Sequence, residues 1–113
     1  MATPAETRDQ LISQLRATRN KLTSPAWLMM IEAAPEKKQD KAAKDLLKVQ
    51  LALLKLEREA LTSFREQLVA NEAALAQSTQ KLQAALDRLQ SVAKVLSALT
   101  SFLRVIARVV ALV

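Results

Sequence analysis

The sequence predicts an all-α protein: short N-terminal helices followed by a long heptad-repeat helix or helical hairpin, forming a coiled coil or helical bundle. Three observations favour this class. Ala, Leu, Glu, Lys and Arg account for 64 of the 113 residues, above the roughly 50% share typical of long helices. The chain contains no Gly, on which the hairpin turns of sheet-rich folds often depend. Leucine also recurs at steps of seven from residue 47 onward.

The first predicted helix spans residues 4–22. Thr3 precedes Pro4, and Glu6 follows three residues after Thr3. This is the capping-box pattern, in which the Thr hydroxyl accepts a hydrogen bond from an unpaired amide and the Glu carboxylate reaches back to the cap amide. Apolar residues at 11, 15 and 22 then follow helical spacing, which predicts one stripe that packs against a neighbour.

A second, short helix is predicted over residues 25–33. Ser24-Pro25 repeats the start signal, and Ala34-Pro35 ends the segment because a residue before Pro avoids helical angles. Five large apolar residues stand in a row within it, from 27 to 31. They predict either a plug for one end of a bundle or a docking knob for another protein, formed by Trp27 and Met30.

Residues 35–113 form the third predicted region, because no Pro or Gly follows Pro35. A single helix of this length would extend about 120 Å. Two alternatives remain open: a continuous helix, or a chain that kinks near Asn71 and turns back as a hairpin within residues 70–79. The predicted organisation is one structural unit with three parts: N-terminal helices in 1–34, a leucine-heptad helix in 35–90 and an apolar, basic helix in 91–113.

A ladder of leucines gives the strongest periodic signal in the chain. A repeat of seven residues corresponds to 3.5 residues per turn, which predicts a left-handed supercoil with these side chains at its seam. We therefore expect an interface formed by Leu47, Leu54, Leu61, Leu68, Leu75, Leu82, Leu89, Leu96 and Leu103.

The C-terminal segment is apolar except for one basic stripe. Sixteen of residues 91–113 are apolar and none is acidic. The segment could be a buried helix of a bundle, lie in a membrane interface, or span a bilayer. We expect it to provide a membrane or partner surface formed by Lys94, Phe102, Arg104, Arg108, Val109 and Leu112.

The composition excludes several kinds of chemistry. Without Gly, Cys or His, the chain has no phosphate-binding glycine loop, zinc finger or Cys–His pair. We expect no enzymatic activity, no cofactor, no metal site and no small-molecule substrate. The four lysines of residues 37–44 lie in a stretch, residues 35–45, that also contains three acids and lacks a base-reading Arg and Asn set, so nucleic acid is not an expected partner.

These features predict a non-enzymatic helical self-association or adaptor protein that acts through the leucine-heptad interface. Its C-terminal amphipathic helix would bind a partner groove or a membrane. The expected partners are further copies of the chain or a helical protein, with an anionic membrane as a third option. The alternative is a membrane-active protein, pore-forming, lytic or anchoring, whose C-terminal helix inserts in lipid while the coiled coil drives assembly. The expected location is the cytoplasm, with membrane association as an option.

Overall fold

The structure, a computed structural model, describes residues 3–112. This part of the chain is helical and contains no strand, which confirms the predicted all-α class. The helices are α1 (Pro4–Leu22), α2 (Pro25–Glu32), α3 (Glu36–Arg58), α4 (Arg65–Ala70), α5 (Glu72–Arg88) and α6 (Val92–Ile106), with a 3₁₀ turn at Leu61–Ser63 between α3 and α4.

Four of these helices form a closed bundle. α1 packs against α3, α3 against α6, α6 against α5, and α5 against α1. Thr7 shares a groove with Glu72, and Lys21 shares another with Asp87, so α1 and α5 run in the same direction. The 3₁₀ turn and α4 pack against α1 and connect α3 to α5, its diagonal neighbour in the ring.

Hydroxyl caps fix the starts of α1 and α2. Thr3 Oγ1 accepts a hydrogen bond from the Glu6 amide at 3.2 Å and donates to the Glu6 carboxylate at 3.2 Å. Ser24 Oγ accepts from the Trp27 amide at 3.4 Å, and α2 begins at Pro25. Both starts lie where the sequence predicts them, because capping depends on side chains within one turn of the helix end.

The predicted region 35–113 is not one continuous helix. Extended backbone at Glu59 and Ala60 ends α3, and residues 89–91 separate α5 from α6. A third boundary lies at Asn71, the predicted kink, where Asn71 Nδ2 donates to the Gln67 carbonyl at 2.8 Å. No hairpin forms in residues 70–79, since α5 continues from Glu72 to Arg88. These breaks let the chain fold back and bury apolar stripes that a single helix would leave in water.

The boundary after α5 has an unusual backbone. Leu89 adopts a left-handed conformation, with φ 45° and ψ 42°, which costs a residue other than Gly roughly 1–2 kcal/mol. Its side chain is half-buried and packs against the core. Burial of apolar surface there offsets part of the backbone cost, since fully burying a leucine contributes about 1.5–3 kcal/mol and Leu89 is buried only in part.

The C-terminal segment contributes the most apolar helix of the bundle. In α6, seven side chains are buried: Val95, Leu96, Leu99, Phe102, Leu103, Val105 and Ile106. The polar stripe of this helix faces solvent, including Lys94 and Arg104. This is the arrangement of a buried bundle helix, the first of the three alternatives for the segment. α6 ends at Ile106, and Val113 lies outside the described residues. Within residues 3–112, no helix combines the length and apolar character required to cross a membrane.

Two ladder leucines that the sequence treats as equivalent should respond differently to truncation. Leu82→Ala should lower the free energy of unfolding by about 2–5 kcal/mol, because Leu82 is completely buried. Leu47→Ala should change it by no more than about 0.5 kcal/mol, because Leu47 is 65% exposed. Urea denaturation followed by circular dichroism measures both values, and equal losses would contradict this arrangement of helices.

The cap of α6 provides a second test. Ser91 Oγ accepts a hydrogen bond from the Lys94 amide at 3.2 Å, so Ser91→Ala should cost about 1 kcal/mol of stability. Ser97→Ala is the matched control, because Ser97 lies on the exposed side of the same helix and Ala is the better helix former. If both variants unfold at the same urea concentration, Ser91 is not the cap.

Candidate interaction surface

The outer side of α3 carries a stripe of leucines. The opposite side of this helix is buried through residues such as Val49, Leu53 and Leu56. Leu47 and Leu54 are 65% and 43% exposed, and Leu51 between them is half-buried. Positions i, i+4 and i+7 lie on one side of an α-helix. These three residues, called the outer stripe below, therefore form a continuous apolar ridge.

The rest of the predicted leucine interface does not lie on this surface. Leu68, Leu75, Leu82, Leu96 and Leu103 are buried in the core of the same chain, and Leu61 and Leu89 are half-buried against it. The expected single seam from Leu47 to Leu103 is therefore wrong. The physical reason is that helix boundaries interrupt the ladder, so a repeat of seven no longer places its members on one line in space.

Cations lie along one side of the outer stripe. Successive residues of a helix are about 100° apart, which places Lys44 and Lys55 beside the leucines and Arg58 at their C-terminal end. On the other side Ala43 and Gln50 are uncharged, and Glu57, which shares a groove with Gln50 and Leu54, is paired with Arg16. Within residues 3–112, none of these three cations has a carboxylate within 4 Å; the ion pairs are Arg8–Asp9, Arg16–Glu57 and Lys41–Asp45.

A cleft of about 480 Å³ lies between α3 and the C-terminal end of α6. Its charged lining residues are Lys41, Asp45 and Lys48 from α3 and Arg104 from α6. Asp45 is only 3% exposed, and its Oδ2 accepts from Lys41 Nζ at 3.1 Å. The other lining residues are Thr100, Leu103, Ala107, Ala111 and Leu112. Because the cleft needs two helices far apart in sequence, periodicity within either one gave no signal for it.

The predicted surface of the C-terminal segment is divided by the fold. Lys94, Arg104 and Arg108 are exposed, and Leu112 is half-buried. Phe102 and Val109 belong to the core, so the expectation that they form a membrane or partner surface is wrong. Both residues lie away from the ladder, but the bundle surrounds α6 with more neighbours than a two-stranded coil provides, and Val109 lies in the turn that follows α6.

The predicted docking knob is also largely internal. Trp27 is 2% exposed and belongs to the core, and Met30 is half-buried. Trp27 therefore acts as a plug for the bundle, the first of the two alternatives for this helix, and its side chain is not exposed for docking in this fold. The exposed large apolar residues of α2 are instead Leu28 and Met29, at 46% and 72%.

The described side chains provide no metal-binding cluster. Within residues 3–112, no group of three or more Asp or Glu residues lies close enough to hold a metal ion. Comparison of the chain with protein-family models, curated proteins and solved structures finds no match.

The Lys41–Asp45 pair can be tested through stability. Lys41→Met leaves the buried Asp45 carboxylate without its partner, which should cost about 1–3 kcal/mol of unfolding free energy. Lys44 lies one turn away from Lys41, is exposed and has no ion pair in the described part of the chain. Lys44→Met removes the same charge and should leave the free energy of unfolding nearly unchanged. Equal urea midpoints for the two variants would show that the pair does not stabilise the wall of the cleft.

Proposed function

We propose that this protein is a non-enzymatic adaptor that binds an amphipathic helix of a partner protein along the outer side of α3. The observation that carries the proposal is the outer stripe, in which Leu47 and Leu54 are exposed and share one helix side with Leu51. Anchors spaced by four and three residues are the pattern by which helices recognise one another.

The outer stripe has a clear reason to bind. Fully burying one leucine contributes about 1.5–3 kcal/mol relative to leaving it exposed. Because Leu47 and Leu54 remain exposed in the fold, much of this free energy is not gained when the chain folds. A second helix packed along α3 would cover them by inserting its own apolar side chains between them, as in a coiled coil.

Charge determines which kind of helix fits. Lys44, Lys55 and Arg58 border the leucines, and charged residues beside an apolar seam select partners of opposite charge. The partner helix should therefore carry Glu or Asp beside its leucines. The proposed partner class is an amphipathic helix with acidic flanks.

The same charges oppose pairing between two copies of this chain. In an antiparallel pair centred on Leu51, Lys44 of one copy would lie across from Arg58 of the other. In a parallel pair each lysine would approach its own counterpart. Like charges along a seam are destabilising. The expected self-association is therefore less well supported by the outer stripe than an adaptor role with an acidic partner.

The membrane-active alternative requires a larger rearrangement. The apolar side chains of α6, including Leu99, Phe102 and Ile106, are buried in the bundle. Insertion of α6 into lipid would remove them from the core and expose the helices that pack against it, α3 and α5. The outer stripe binds without any change in the fold.

A pair of designed peptides tests the proposal. Each peptide has three heptads with Leu at a and d; one carries Glu at e and g and the other Lys. Isothermal titration calorimetry should detect binding of the Glu peptide and at least tenfold weaker binding of the Lys peptide. Leu47→Asn with Leu54→Asn should weaken binding of the Glu peptide at least tenfold, because truncated central anchors each cost more than about 1 kcal/mol.

Two controls make this result specific. Met29→Asn with Val69→Asn removes exposed apolar side chains outside α3 and should leave binding unchanged. Lys44→Glu with Lys55→Glu should reverse the preference toward the Lys peptide. The adaptor proposal is wrong if the Glu peptide does not bind at about 1 mM. It is also wrong if Leu47→Asn with Leu54→Asn leaves the affinity for the Glu peptide unchanged. Self-association would be favoured instead if the free protein sediments as a dimer and if Leu47→Asn with Leu54→Asn dissociates that dimer.

A further inference from the structure

We infer that the cleft between α3 and α6 binds a small amphiphilic anion, an aliphatic chain that ends in a carboxylate or sulfate. This site is distinct from the outer stripe. Lys48 lines the cleft and immediately follows Leu47, so the two features lie about 100° apart around α3. Each can therefore be altered while the other stays intact.

The apolar part of the cleft suits a hydrocarbon chain. Leu103 is buried, Leu112 is half-buried, and both line the cleft together with Ala107 and Ala111. The two alanines are exposed, and their small side chains leave open the space that a larger residue would fill. The volume of about 480 Å³ lies within the range of roughly 300–1,000 Å³ common for small-molecule sites.

The cationic part of the cleft supplies the charge preference. Lys48 on α3 and Arg104 on α6 both line it, and within residues 3–112 neither has a carboxylate within 4 Å. A guanidinium presents parallel N–H donors that match the two oxygens of a carboxylate. An anionic head group held between these side chains would have its chain directed along the apolar residues of the same cleft.

The acid in the cleft does not oppose an anion. Asp45 lines the wall but is buried, and Lys41 Nζ bonds its Oδ2 at 3.1 Å. This pair is neutral overall, so among the cleft-lining residues of the described range 3–112 the charges without an ion pair are Lys48 and Arg104. The adjoining groove along α3 adds Lys37 and Lys44, with Asp40 as its further acid. The surroundings of the cleft are therefore positive, which favours an anionic over a cationic amphiphile.

Decanoate, below its micellar concentration, is the probe for this site. Isothermal titration calorimetry should detect saturable binding of one decanoate. Acetate, which has the head group without the chain, and decyltrimethylammonium, which has the chain with the opposite charge, should each bind at least tenfold more weakly. Affinity should also rise from hexanoate to decanoate, by up to about fourfold per methylene group.

Three variants locate the binding. Lys48→Gln with Arg104→Gln should weaken decanoate binding at least tenfold, and Ala107→Leu should do the same by filling the apolar part. Lys94→Gln with Arg108→Gln is the matched control, because it removes the same two charges from exposed residues that do not line the cleft. Circular dichroism verifies that each variant retains its helices.

Two sources of such an anion can be separated. If the protein floats with phosphatidylglycerol vesicles and Lys48→Gln with Arg104→Gln abolishes this flotation, the anion is a membrane lipid. If the protein binds decanoate but does not float, the anion is a free amphiphile. The inference is overturned if decyltrimethylammonium binds as well as decanoate. It is also overturned if Lys48→Gln with Arg104→Gln binds decanoate as tightly as the unaltered chain does.

Discussion

α6 presents apolar side chains around most of its circumference, and their removal from water organises the bundle. α6 packs between α3 and α5, and this packing buries Leu99, Phe102 and Ile106 completely. Two neighbours on different sides are needed because a single partner covers only one stripe of a helix. α1 then closes the ring by packing against both α3 and α5. The breaks around residues 59–64 and 89–91 follow from the same constraint, since the chain must return twice to surround α6.

This arrangement leaves α3 with apolar residues on two opposite sides. Its inner side, through Val49 and Leu56, packs in the bundle, whereas the leucines of the outer stripe have no helix over them in the described part of the chain. Asp45 and its ion pair lie on the inner side, and a satisfied ion pair is tolerated there at the edge of the core. The leucines of the outer stripe are therefore exposed because the inner side of α3 is the side that packs in the bundle.

The local features of the fold were predictable, and the long-range ones were not. The starts at Pro4 and Pro25 follow from caps whose donors and acceptors are neighbours in sequence. The kink at Asn71 also had a local signal. The ends of α3 and α5 had no local signal. Glu59 and Ala60, whose extended backbone ends α3, and Leu89, whose left-handed backbone ends α5, are neither Gly nor Pro. The heptad ladder continues across these boundaries, but its members are exposed in α3, at Leu47 and Leu54, and buried in α5 and α6, so the repeat alone does not show which side of each helix faces the core. The cleft depends on α3 and α6 being adjacent, which no local pattern encodes.

The separation of the two proposed sites follows from how α3 distributes its charge. Lys41 is held by Asp45 at 3.1 Å, so it stabilises the wall of the cleft and contributes little net charge to either site. Lys48 projects from the side nearest α6 and joins Arg104 in the cleft, whereas Lys44 and Lys55 lie beside the outer stripe. One helix can therefore present an apolar ridge bordered by cations to a protein helix and a cationic, partly apolar cleft to a small anion. Because Lys48 lies between the two sides, a bound anion would neutralise a charge that is adjacent to the positive border of the outer stripe. Occupation of the cleft should therefore weaken the preference of the stripe for acidic flanks, which couples the two sites through charge alone.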